Sequence, residues 1–170
     1  MNRNKLLPSL VCGFGAAVLT TVPGVKNFAC CLIVPLAAVI SINLDHKINK
    51  SEFPIKAGQA IFFGVMTGLF AALFSTFFDV LSTYLTHTND FMEALPQTED
   101  FIRQYKLNVL LDQTLAIFKQ MSTDISSYGF SAFYTFAMLV SNLFVDIIFG
   151  LIGGLAGMSF FNKRTGQIKK

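Results

Sequence analysis

The chain has 170 residues, of which 53% are hydrophobic, 19 are Phe and only 14% are charged, against about 25% charged in an ordinary soluble domain. Its net charge of +3 comes largely from the ends and one loop, so there is no clustered basic face of the kind a nucleic-acid binder needs. Charge-free stretches alternate with short charge-dense ones, the layout of a chain whose solvent is partly lipid.

The first apolar run, Leu6 to Val22, follows Arg3 and Lys5 and closes at Pro23-Gly24. It is long for a secretory leader and a second run follows at once, so it is expected to be retained as a span. Cys12, Cys30 and Cys31 lie in these first two runs, show no metal-ligand spacing, and read as small buried hydrophobes. The second run is Phe28 to Leu44, with Pro35 as a candidate kink, and the two form a tight hairpin around Lys26. The third, Ala57 to Leu85, carries the single charge Asp79, and the fourth, Phe130 to Phe161, carries the single charge Asp146. A bilayer core about 30 Å thick needs roughly 20 helical residues. The pattern therefore predicts an all-α integral membrane protein, one membrane domain with four spans at about 6–24, 28–44, 57–85 and 130–161.

With four spans, the N-terminus, the Asp45–Lys56 loop and the C-terminus share one side. That side carries nine Lys/Arg, against Lys26, Arg103, Lys106 and Lys119 on the other. Both termini are thus expected to be cytoplasmic. The outer segment, 86–129, holds most of the acids, including Asp90, Glu93, Glu99, Asp100, Asp112 and Asp124. Within it Pro96, then Thr98 with Glu99 and Asp100, resembles a helix start. Leu107, Leu110, Leu111, Leu115, Ile117, Phe118 and Met121 then share one arc, opposite Asn108, Asp112, Gln113, Lys119 and Gln120. This predicts an amphipathic extracytoplasmic helix, lying on the membrane or serving as a lid or docking element. Ser126 to Gly129 turns the chain back.

The third span places Gly64, Gly68, Ala71, Ala72, Ser75, Asp79 and Ser82 on one face and Phe62, Phe63, Leu69, Phe70, Leu73 and Phe77 on the lipid side. The fourth places Thr135, Asn142, Asp146, Gly150, Gly153 and Gly157 on one arc. Gly64-xxx-Gly68 is expected to pack near Gly150-xxx-Gly154 or Gly153-xxx-Gly157, within one subunit or between two copies. Ser75, Asp79, Ser82, Thr135, Asn142 and Asp146 form a candidate polar seam. An aspartate in hydrocarbon costs about 2.5–3.5 kcal/mol and so faces a bundle interior or a watery cavity. Each aspartate is expected either as a neutral hydrogen-bonded contact or as a protonatable or cation-binding site. His46 and His87 flank opposite ends of spans and cannot share a metal.

Two segments carry a resemblance: IKAGQAIFFGVMTGLFAALFS, from Ile55 to Ser75, and DIIFGLIGGLAGMSFFNKR, from Asp146 to Arg164. With the hairpin before them and the outer segment between them, the chain resembles an uncharacterised bacterial membrane family, the domain of unknown function 4199. That resemblance implies a four-helix protein of the bacterial inner membrane and brings no activity or functional residues with it.

No nucleophile–base set, metal motif or phosphate loop is visible, so no enzyme, cofactor or metal site is expected. The expected function is a non-catalytic assembly or regulatory component, in contact with lipid and with a second copy or another membrane protein. The alternative is a small transporter or channel component built on the seam around Asp146 and Asp79.

Overall fold

The structure is a computed structural model that describes residues 6–22, 25, 29–49, 54–104 and 110–168. Every regular element among these is helical. Helix α1, Leu7–Thr20, has Pro8 in its first turn, where a missing N–H costs nothing. It stops short of the expected residue 24. The N–H groups of Thr21 and Val22 already bond three residues back, to Val18 and Leu19, and the Thr20 and Thr21 hydroxyls cap Ala17 and Val18 carbonyls at 2.7 Å each. With 14 residues, α1 is about 21 Å long.

A π-helical turn, Ala29–Ile33, leads into α2, Val34–Asn49. Pro35 is the second residue of α2, next to a turn whose wider bonding pattern accommodates a residue with no N–H to donate. α2 runs past the expected end at Leu44, and Asp45 to Asn49 are helix rather than loop. Asn49 Nδ2 donates to Asp45 Oδ1 across one turn at 2.6 Å, and His46 and Lys47 sit at the negative end of the helix dipole.

Helix α3, Ala57–Thr86, starts with Lys56 N donating back to Gln59 Oε1 at 3.2 Å, half of a capping box. It ends at His87, whose φ of 55° places it in the left-handed region, with its N–H on Thr83 O at 2.8 Å. Helices α4, Asp90–Gln104, α5, Leu110–Tyr128, and α6, Ala132–Ile168, complete the chain. Among the described residues three segments are long and apolar enough to cross a membrane: Cys31–Asn49, Ala57–Thr86 and Ala132–Arg164.

The segment between α3 and α6 differs from expectation. It holds two helices instead of one, and the first begins at Asn89, not Thr98. Asn89 Oδ1 accepts from Met92 N at 3.0 Å, with Asp90 and Glu93 in the first turn. Thr98 is internal and its hydroxyl bonds Ala94 O at 2.9 Å, while Pro96 sits inside the helix. On α5, Leu115, Met121 and Ile125 are buried, but Ile117 is exposed. Leu107 and the side chains of Leu110 and Leu111 lie outside the described residues. Ser126, Ser127 and Tyr128 are still helical, and the chain turns at Gly129, whose φ is +69°.

The chain divides into two compact units, Met1–Phe78 with Leu139–Lys170, and Asp79–Met138. The first has two cores: a small-residue one of Ala16, Val34, Ala37 and Ala71, and a bulkier one of Ile42, Ile55, Ala60 and Phe63. Lipid supplies no hydrophobic drive between helices, so close contact of small side chains takes its place. Phe63, expected toward lipid, is buried in the second core, whereas Leu73 and Phe77 are exposed. The second unit packs Met121, Ile125 and Tyr134 with Phe91, Met92 and Phe118. Phe91 meets Phe118 edge-on at 5.4 Å, and Lys119 pairs with Glu99 at 3.1 Å between α5 and α4.

Candidate functional site

Within the first unit, α3 and α6 run antiparallel in backbone contact. A Cβ on Gly64 would fall 2.5 Å from the carbonyl oxygen of Gly150, and one on Gly68 would collide with the carbonyl of Asp146. Gly154 in turn lies against the Ala60 carbonyl. Any side chain on this row would force the helices apart, which is why glycine recurs at this spacing. Gly153 and Gly157 do not join the row. Gly153 abuts Pro35, with its would-be Cβ 2.5 Å from Pro35 Cα, and Gly157 faces Val39 and Ile42, so both pack on α2.

The polar residues sort in the same way. Asn142 Nδ2 donates to Thr76 Oγ1 at 3.0 Å, joining α6 to α3. Thr76, buried, was absent from the expected seam. Ser75 turns toward α1, where its hydroxyl lies 3.3 Å from Thr20 Oγ1. Asp146, 8% exposed, is buried one turn from Asn142, and no hydrogen bond or ion pair to its carboxylate forms among the described residues. Asp79, Ser82 and Thr135 belong to the second unit. There Asp79 O accepts from the buried Thr83 hydroxyl at 2.8 Å, while Ser82 is exposed and Thr135 half-buried. The structure therefore brings Ser75, Asn142 and Asp146 into one unit and leaves the other three outside it.

Sequence reasoning missed a second polar cluster. Ser9 and Ser41, both fully buried, lie 3.1 Å apart between α1 and α2, and Ser9 Oγ also reaches Phe63 O at 3.5 Å. The signal was present as isolated hydroxyls in otherwise apolar runs. It also missed Asn162, whose side chain bonds both backbone groups of Ile55. Among the described residues no group of three or more His, Cys, Asp or Glu could hold a metal.

The fold defines a class, a helical protein with, among the described residues, three helices long and apolar enough to cross a membrane, as in multi-pass membrane proteins. No protein-family profile, curated protein or solved structure matches the chain.

Proposed function

We propose that this chain is a non-catalytic, four-span component of the bacterial inner membrane, with both termini cytoplasmic, that works by assembling with another copy or another membrane protein. The observation that carries this reading is the backbone contact of α3 with α6. It leaves no passage between the two helices from Ala60 to Gly68, and beyond that stretch Asn142 donates to Thr76 and the Ser75 hydroxyl meets that of Thr20. Because the glycines are used inside the chain, assembly falls to the exposed apolar faces and the α4–α5 segment.

Support for a fourth span comes from α1. Leu7, Leu10, Val11, Phe14, Val18 and Leu19 are exposed on it, a face suited to lipid, while Ser9, Gly13 and Thr20 on its other side pack on α2 and α3. A short span is accommodated by local thinning of the bilayer. The orientation rests partly on Arg3, Lys5, Lys26, Lys50, Lys106, Lys169 and Lys170, which lie outside the described residues.

One observation favours the second reading, a transporter component: the buried Asp146 carboxylate has no cationic partner among the described residues. Proton and sodium flux into proteoliposomes separates the two. The assembly reading expects no flux from wild type or Asp146→Asn, and crosslinked species in membranes from both. Flux that disappears in Asp146→Asn overturns it.

A further inference from the structure

The end of the first unit where α2 finishes, α3 begins and α6 finishes is held by one side chain. Asn162 Oδ1 accepts from Ile55 N at 2.8 Å, and its Nδ2 donates to Ile55 O at 3.1 Å. Beneath this clamp Ile42, Ile55, Ala60 and Phe63 pack with Met158 and Phe161, so all three helices meet here. The covalent neighbours of the clamped pair are Lys56 and Lys163, followed by Arg164, and Lys47 lies just beyond Ile42 on α2. All four side chains are exposed, and none forms an ion pair among the described residues.

Acid is scarce at this end. After Asp146 the sequence contains no Asp or Glu, and between Asp45 and Asp79 it contains only Glu52, which lies outside the described residues. Asp45 is 6% exposed and takes the Asn49 amide. These cations also stand where the apolar stretches stop, at Asn49, Ala57 and Arg164, the depth of the headgroups in a bilayer. Ammonium and guanidinium groups at that depth meet phosphodiester oxygens, and Arg does so with a fixed fork of donors.

We propose that Lys47, Lys56, Lys163 and Arg164 form a docking surface for anionic phospholipid headgroups in the leaflet that meets this end of the bundle. The proposal rests on the membrane-spanning reading above. It follows from convergence: the Asn162–Ile55 clamp brings Lys56 together with Lys163 and Arg164, more than a hundred residues apart in sequence, with no exposed acid beside them among the described residues.

The test is the selectivity of the reconstituted full chain for spin-labelled phosphatidylglycerol over spin-labelled phosphatidylcholine. Wild type is expected to prefer phosphatidylglycerol, with the preference falling as salt rises. Each charge removed in Lys56→Gln, Lys163→Gln and Arg164→Gln is expected to lower it about fivefold. Lys119→Gln, in the other unit, is expected to leave it unchanged. Helicity and melting in detergent are compared for every variant, so that lost binding is not lost folding. Equal selectivity in wild type and the triple variant overturns the proposal, as does displacement of the lipid by inorganic phosphate at matched ionic strength. A wild-type chain that stays soluble with neither detergent nor lipid refutes the membrane reading instead.

Discussion

The carboxamide of Asn142 and the hydroxyl of Thr76 meet at 3.0 Å, one helical turn from the buried Asp146. The bond crosses from α6 to α3 just beyond the row of glycines that brings the two backbones together. Interhelical hydrogen bonds in membranes contribute about 0.6 kcal/mol on average and about 1.7 at most. A double-mutant cycle of Asn142→Leu and Thr76→Val, read from reversible unfolding in mixed micelles, is expected to give a coupling in that range. Strict additivity of the two single changes would show that the bond contributes nothing to stability.

The glycine row is expected to be graded. Gly68→Leu must displace the Asp146 backbone and should cost about 3 kcal/mol or more, by overpacking that no rotamer relieves. Gly157→Ala meets Ile42 Cδ1 and Val39 Cγ2, movable side-chain ends, and Val39 Cα, each at 3.3 Å, and should be far milder. Gly15 has nothing within 4 Å of its would-be Cβ, so Gly15→Leu should change stability by no more than about 0.5 kcal/mol. Thermal unfolding in detergent reads all three. A tolerated Gly68→Leu would mean that α3 and α6 are not in backbone contact.

The start of α4 can be located by substitution. Asn89→Ala removes the cap on Met92 N and should cost about 1 kcal/mol, raising hydrogen exchange in the first turn. Thr98→Ala removes a hydroxyl that only bonds back to Ala94 O and should leave the same amides protected. The reverse pattern would place the helix start at Thr98.

Gly129 ends α5 at φ +69°, with its N–H on Ile125 O at 2.8 Å. A Cβ there would also fall 2.8 Å from Tyr84 O. Gly129→Ala is therefore expected to cost about 1–2 kcal/mol from backbone strain alone, and more from the clash. Exchange rates of the last-turn amides of α5 and of Thr135, whose N–H bonds Ser131 O, measure it.

How far each element was legible depended on the range of the interactions that fix it. Membrane-length apolar stretches for α2, α3 and α6 could be read from composition and length, because a chain in lipid must satisfy its own backbone within each segment. Their ends were less legible. α1 stops at Thr20 and α2 continues to Asn49 because of hydroxyl caps and an Asn49–Asp45 bond that a hydropathy count ignores. The segment between α3 and α6 was misread for a similar reason: Thr98 with two following acids imitates a cap, and the cap in use, Asn89, sits two turns earlier.

By itself, then, the sequence determined an all-helical chain and which faces of α3 and α6 are small or polar, since helical period and burial cost are local properties. Only the tertiary structure decided what each face meets. Gly64 and Gly68 take α6 while Gly153 and Gly157 take α2, Ser75 turns to Thr20 instead of the seam, and Asn162 reaches back to Ile55. Adjacent positions on a helix differ by only about 100°, so residues that share one arc on a helical wheel divide between two neighbours as soon as three helices pack. The positions of those neighbours are set by contacts far apart in sequence.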